Sequence, residues 1–202
     1  QSPTRRTGVG ALPGGGNVVT LSLVGTSLLA FTLAGVLQVL WLKSPLFRRF
    51  AYPLDGGIRL GEMDVFGPNK TVAGFMVMVP ATALMFPLFG LVFPHWFWPG
   101  QSDTLFVGGL SAGMGYMLGE LPNSFIKRRL GIASGEEPTG RLGRSLSFIV
   151  DQVDSVIGAV LGLTLVWEVS YEVAALILVG GGLIHWAFNL LLYGIGLKAR
   201  AR

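Results

Sequence analysis

Two carboxylates interrupt a long apolar stretch in the second half of the chain. Asp151 and Asp154 lie within residues 146–165, which are otherwise largely apolar. At helical spacing both fall on one face, and an Asp within a membrane-spanning helix costs about 3 kcal/mol. A divalent cation would neutralise both carboxylates, so we interpret the pair as a metal site. A shared proton, ion pairs with nearby Arg residues and the proton relay of a transporter are the alternatives.

A second polar cluster reads G-E-L-P-N-S-F-I-K-R-R over residues 119–129. Glu120 is expected at the membrane edge, and Pro122 is expected to end one helix and begin another. Ser124 and Lys127 then share a face, and a carboxylate, a hydroxyl and cations together suit a metal-bound polyphosphate. The basic run at residues 127–129 is alternatively a patch that binds anionic lipid without chemistry.

A third cluster, G-P-N-K-T over residues 67–71, precedes another apolar stretch. Thr71 or Asn69 can cap the helix that follows, and a helix amino terminus beside Lys70 would attract phosphate. The spacing does not match a Walker A loop. A capped helix with a snorkelling lysine is the alternative interpretation.

These clusters are separated by segments that composition assigns to a membrane. The chain is 51% hydrophobic and 13% charged, whereas a soluble domain carries about a quarter charged residues. With no Cys, disulfides, thiolate metal sites and a Cys nucleophile are excluded. We predict an all-α, polytopic transmembrane helix bundle of about five spans. The predicted spans are residues 18–42, 72–93, 104–118, 146–167 and 173–193.

Basic residues predict the orientation of this bundle. Residues 43–71 and residues 120–144 are rich in Lys and Arg, and the other two connections have none, so both polar loops are expected in the cytoplasm. We divide the chain into a flexible tail over residues 1–17, a transmembrane catalytic domain over 18–197 and a basic tail over 198–202. A net charge of +4 is attributed to orientation and anionic headgroups, and no nucleic-acid partner is expected.

Several small or polar residues have helical spacing that favours contacts between helices. His185 and Asn189 are expected to form hydrogen bonds between helices. The glycine pairs predict close helix contacts, within one chain or in a homodimer. These pairs are Gly109 and Gly113, Gly115 and Gly119, and Gly158 and Gly162.

Taken in order, G-P-N-K-T, G-E-L-P-N-S-F-I-K-R-R and D-Q-V-D-S resemble the motifs of the CDP-archaeol synthase family, within the membrane CTP:phosphatidate cytidylyltransferases. The resemblance runs from about residue 43 to residue 162. It implies an integral membrane enzyme with a cytoplasmic, Mg²⁺-dependent site that joins CTP to a lipid phosphate and releases pyrophosphate. In two places the chain departs from the family pattern: Glu120 stands where Asp is usual, and residues 72–74 replace the usual Trp-Arg-Gly.

The resemblance also implies roles for the polar residues. Asp151 and Asp154 would bind the metal, with Glu120 as a further ligand or as a hydrogen-bond acceptor beside the ligands. Lys70, Lys127 and Arg128 would hold phosphates, and Ser124 and Asn69 would orient them. The remaining predicted substrate-binding residues are Thr71, Asn123 and Arg129. The rival hypothesis is a transporter or flippase for a phospholipid that uses the Asp pair to relay protons. A third hypothesis is a scaffold derived from the family that has no turnover.

Overall fold

The computed structural model describes residues 15–94 and 102–194. Most of the predicted amino-terminal tail, part of the connection between the second and third predicted spans and the basic carboxy-terminal tail lie outside these residues. The first helix already begins at Gly15, three residues inside the segment predicted as a tail.

Six α-helices and one short hairpin make up the described part of the chain. The helices are α1 (Gly15–Lys43), α2 (Phe47–Phe50), α3 (Val72–Val92), α4 (Leu105–Arg129), α5 (Arg141–Thr164) and α6 (Tyr171–Gly194). The hairpin pairs β1 (Arg59–Leu60) with β2 (Met63–Asp64) in antiparallel register. The predicted all-α bundle of five long helices is therefore confirmed.

Four of the long helices (α1, α3, α5 and α6) are long and apolar enough to cross a membrane. The fifth, α4, differs because its last turns carry Glu120 and the basic run at residues 127–129. These helices are those of an integral membrane protein.

The prediction that Pro122 ends one helix and begins another is wrong. Helix α4 continues through Pro122 to Arg129, and α3 likewise continues through Pro80 and Pro87. Proline removes one backbone donor, but neighbouring helices support the backbone of a membrane helix at such positions. As a result, the connection between α4 and α5 is only residues 130–140, much shorter than the polar segment predicted at 120–144.

Helix α4 is the centre of the bundle, between α3 and α5. Its contact with α5 is made by glycines: a Cβ added at Gly115 would overlap the Gly158 carbonyl, and one added at Gly119 would overlap the Asp154 carbonyl. Gly109 and Gly113 meet α3 in the same way. The predicted small-residue contacts are therefore present within one chain, where backbones approach closely because no side chain intervenes.

The long helices alternate in direction, so the connections at residues 44–71 and 130–140 lie at the same end of the bundle. Apolar side chains fill the interior between the helices, and Phe86, Leu163 and Ile177 are fully buried there. All three motif clusters are thereby brought to one end of the fold.

We expect Gly158→Ala to destabilise the protein. The added methyl group would push against the Gly115 carbonyl on α4, and overpacking of this kind costs about 1–3 kcal/mol. Thermal unfolding of the purified protein in detergent measures the effect. The control is Gly35→Ala, because a Cβ at Gly35 meets nothing within 4 Å. An unchanged unfolding temperature for Gly158→Ala would contradict the glycine contact.

Candidate active site

Asp151 and Asp154 converge on one amide group. The Nδ2 atom of Asn123, on α4, donates to Oδ1 of Asp151 at 2.6 Å and to Oδ2 of Asp154 at 2.7 Å. The two carboxylates therefore lie on the same face of α5, as their spacing predicts. The Asn123 nitrogen thus lies at a point where one atom or ion can contact both carboxylates.

A lysine balances part of this negative charge. Lys127, one turn after Asn123 on α4, donates from Nζ to both oxygens of Asp151, at 2.5 and 2.7 Å. Asp154 instead accepts from its neighbour Ser155, through the backbone N–H at 2.7 Å and the hydroxyl at 3.2 Å. The pair is thus compensated by hydrogen bonds and by one cation, and not by the arginine cluster.

A second ion pair joins the G-P-N-K-T loop to α4. The Nζ atom of Lys70 contacts the Glu120 carboxylate, and each side chain is 22% exposed. Thr71 begins α3 as predicted: its hydroxyl accepts from the backbone N–H of Gly74 at 3.4 Å. Lys70 is therefore fixed between a capped helix and the acidic side chain of α4.

Asp55 holds the loop that leads to Lys70. Its buried carboxylate accepts from the backbone N–H groups of Gly57, Phe66 and Gly67, at 3.0, 2.8 and 3.2 Å. Burial alone would raise the pKa of Asp55, but these three hydrogen bonds outweigh it and lower the pKa below the usual 3.8. The loop is therefore closed by an ionised carboxylate.

Arg129, which was predicted to bind substrate, contacts the hairpin. Its guanidinium donates to the carbonyls of Leu60 at 2.8 Å and Asp64 at 2.6 Å, and it lies 5.3 Å from the centre of the Phe125 ring. The residue therefore fastens the hairpin to the end of α4. The sequence did not show this contact because the partners are backbone carbonyls more than sixty positions away.

Arg128 is almost completely buried, with 6% of its surface exposed, and its Nε atom has no hydrogen-bond partner among the described residues. A Cβ at Gly67 would lie 3.1 Å from the Nη1 atom of Arg128, and Gly67 has a φ of +94°. Glycine at this position lets the loop pass directly over the guanidinium.

A cavity of about 600 Å³ opens among these residues, within the usual range for ligand pockets. Its walls contain most of the predicted site residues: Asn69, Lys70, Glu120, Asn123, Ser124, Lys127, Arg128, Asp151 and Asp154. Among the residues that the structure describes, Thr71 and Arg129 are the predicted members that do not line it. One end of the bundle therefore gathers residues from three separate motifs.

Several residues lining the cavity were not predicted. The connection between α4 and α5 contributes Ser134, Gly135, Glu136 and Glu137, and α5 contributes Arg144 and Phe148. Only the basic character of Arg144 was visible in the sequence, since the loop residues match no motif. His185 and Asn189 from α6 also line the cavity, and Asn189 donates to Oε1 of Gln152 at 3.4 Å, the predicted contact between helices.

The charges of the cavity nearly cancel. Four basic side chains (Lys70, Lys127, Arg128 and Arg144) face five acidic ones (Glu120, Glu136, Glu137, Asp151 and Asp154). A polyphosphate entering this cavity would meet carboxylates as often as cations. Charge balance alone therefore favours a ligand that brings its own cation.

The residues present fit a magnesium ion that is shared with phosphates. Within residues 15–94 and 102–194, no three Asp, Glu or His side chains are close enough to form a complete metal site. Mg²⁺, however, is commonly bound by one or two carboxylates together with substrate phosphates. Two carboxylate oxygens that converge on the Asn123 amide provide such a pair. Glu120, predicted as a third ligand, is paired with Lys70.

Comparison with known proteins gives consistent matches. A family model described as CarS-like, CDP-archaeol synthase, matches residues 52–201. The CDP-archaeol synthase of Methanococcoides burtonii is 30% identical over 164 residues, covering 72% of this chain and 87% of that protein. That of Methanospirillum hungatei is 31% identical over 160 residues, with the same coverage of both chains.

A solved structure of an intramembrane enzyme for archaeal membrane lipid biosynthesis has a similar fold. The TM-score is 0.57 at 23% sequence identity, and the match covers 79% of this chain and 90% of that one. At this identity the likeness concerns the arrangement of the helices.

We expect Asp55 to make the Lys70 loop sensitive to acid. Because its pKa is lower in the folded protein than in the unfolded chain, its stabilising effect is complete above about pH 4 and is lost as the pH falls through the folded value. Hydrogen exchange of peptides covering Phe66 and Gly67, referenced to α3, should therefore rise below about pH 4. At neutral pH, Asp55→Asn should accelerate this exchange about tenfold or more, since hydrogen bonds to charged groups contribute about 1.5–3 kcal/mol.

The matched control is Asp64→Asn on the hairpin of the same loop. Within the described part of the chain, the partly exposed Asp64 carboxylate forms an ion pair with Arg59 at 3.8 Å and accepts no hydrogen bond from the loop backbone. Equal exchange in the two variants would show that Asp55 does not hold the loop.

Proposed function

The chain belongs to the CDP-archaeol synthase family, and on that premise we propose that it transfers a cytidylyl group from CTP to a membrane lipid phosphate resembling archaetidic or phosphatidic acid. The family establishes a membrane enzyme that forms a CDP-activated lipid. The choice of CTP, the lipid phosphate, Mg²⁺ and the cytoplasmic face belongs to the proposal. The observation that carries it is the convergence of Asp151 and Asp154 on Asn123 beside a cluster of cations.

The reaction follows from the groups around the cavity. A phosphate oxygen of the lipid attacks the α-phosphorus of CTP, a new P–O bond forms, and the bond to the β-phosphate breaks to release pyrophosphate. No protein nucleophile is needed. The requirements are alignment of the reacting oxygen with the leaving group and stabilisation of negative charge on the phosphates.

Basic residues from two elements of the fold suit the phosphates. Lys70 is supplied by the loop before α3, and Lys127 and Arg128 are supplied by the end of α4. Arg128 is buried beneath Gly67, so its guanidinium already lies at the cavity without a ligand. Ser124 and Asn69, which also line the cavity, can donate hydrogen bonds that orient the phosphates.

Asp151 and Asp154 would hold Mg²⁺, with the side-chain oxygen of Asn123 available after rotation of its amide. When bound, the ion would offset the charge of the phosphates and of the departing pyrophosphate. Glu120 is then a neighbour that positions Lys70. The longer side chain at this position, where the family pattern has Asp, is compatible with that role.

Positive residues favour a cytoplasmic position for the site. The Lys and Arg of residues 43–71 and 127–144 lie at this end of the bundle, the second group on the end of α4 and the start of α5, and positive-inside sorting retains such residues in the cytoplasm. CTP would then reach the cavity from the aqueous side.

The direct test offers the purified protein labelled CTP, Mg²⁺ and a panel of lipid phosphates with ether or ester linkages. We expect release of pyrophosphate together with label in the lipid fraction. If no lipid phosphate gives pyrophosphate, the proposed reaction is wrong even though the fold stands. Movement of lipid across vesicles without nucleotide would instead support the transporter hypothesis.

We expect Asp151→Asn and Asp154→Asn each to lower turnover at least about a hundredfold, because a metal ion that stabilises transition-state charge contributes several kcal/mol. Excess Mg²⁺ should partly restore activity if the remaining carboxylate still binds the ion. Asp64→Asn, outside the cavity, serves as the control and should retain activity. Full activity in both Asp151→Asn and Asp154→Asn would show that the carboxylates do not have the role proposed for them.

A further inference from the structure

A second cavity, of about 190 Å³, forms a groove on the side of the bundle. Its walls come from α1 and α6, with α4 and α5 behind them. At its deep end it is lined by Leu28, Phe31 and Val156, and at the end near the polar loops by Gln38 and Leu192. The groove is thus apolar towards the middle of the membrane and more polar at the rim.

The groove and the polar cavity meet. Glu120, His185 and Asn189 line both of them. These three polar side chains stand at the junction, so a molecule with a charged head in the polar cavity can extend past them into the apolar groove.

We propose that this groove receives one hydrocarbon chain of the lipid phosphate, an inference that rests on the proposed function. A lipid phosphate must place its headgroup beside Lys127 and Asp151, where charged and polar side chains surround it. The attached chain then has to leave this polar surrounding for hydrocarbon. The groove provides a continuous route to the bilayer.

The length of the groove fits one leaflet. From Leu28 to Val39 the α1 wall rises about 16 Å, which is close to half the hydrocarbon thickness of about 30 Å. A helix from a second copy is too large, because it is about 10 Å across and 16 Å of it fills more than about 1,000 Å³. An extended hydrocarbon chain is the occupant whose length agrees with the groove.

Gly35 opens the wall of the groove at mid-depth. It lines the groove, and a Cβ at this position would meet nothing within 4 Å. The rings of Phe31 and Tyr116, with centres 5.7 Å apart, line the groove behind it. A large side chain at position 35 would therefore fill the groove without displacing a neighbour at its Cβ.

The first test compares Gly35→Trp with Leu37→Trp, on the opposite, exposed face of α1. We expect Gly35→Trp to raise the KM for a long-chain lipid phosphate about tenfold or more, with the KM for CTP unchanged and a short-chain lipid phosphate still turned over. Leu37→Trp should behave like the parent protein. Equal KM values for the long-chain substrate in both variants would overturn the proposal.

The second test needs no turnover. Because the chain contains no Cys, Thr32→Cys in the groove and Leu33→Cys on the exposed face can each carry a single fluorophore. In vesicles of neutral lipid, a lipid phosphate with brominated chains should quench the label at position 32 more strongly than the label at position 33. Brominated phosphatidylcholine should show no such preference.

Failure of the proposed function and failure of the groove proposal give different results. Absence of pyrophosphate with every lipid phosphate refutes the proposed function, whereas the quenching experiment still reports on the groove. Equal quenching at both positions, or equal quenching by phosphatidylcholine, shows that ordinary membrane lipid fills the groove and refutes this inference.

Discussion

The close approach of α4 and α5 is the contact on which the site depends. Where Gly115 meets Gly158, the two backbones touch without an intervening side chain. One turn further on, Gly119 lies against the Asp154 carbonyl, and the next turn of α4 places Asn123 over the two carboxylates. A wider separation of the helices would take the Asn123 amide out of hydrogen-bonding range. The glycines therefore set the distance across which the polar groups meet.

Charge at this end of the bundle is stabilised by local partners. Isolated ions are costly in hydrocarbon, and a charged pair is tolerated only when additional hydrogen bonds satisfy it. Lys127 with Asp151 and Lys70 with Glu120 are such pairs, each linking two different elements of the fold. They fix α5 and the loop before α3 to the last three turns of α4. The polar residues therefore stabilise the arrangement that also forms the cavity.

The helices and the main polar clusters could be predicted from the sequence because both have local sequence patterns. Hydrophobic stretches predict the five helices, and the spacing of Asp151 and Asp154 predicts their common face. Contacts that depend on tertiary structure were not accessible in this way. Arg129 finds backbone carbonyls of the hairpin, and Glu136 and Glu137 line the cavity from a loop without a recognisable motif. Pro122 misled the prediction because local propensity yields to packing of α4 against its neighbours.

The hydrogen bonds of Lys127 have a consequence for the order of events at the carboxylates. Both oxygens of Asp151 already accept from its ammonium group. A carboxylate offers about four lone-pair positions, so under the proposed function a Mg²⁺ ion would have to share these oxygens with the lysine or displace it. A displaced ammonium group would remain tethered to α4 by a flexible stem. It would then be a movable positive charge within reach of the phosphates that accompany the ion.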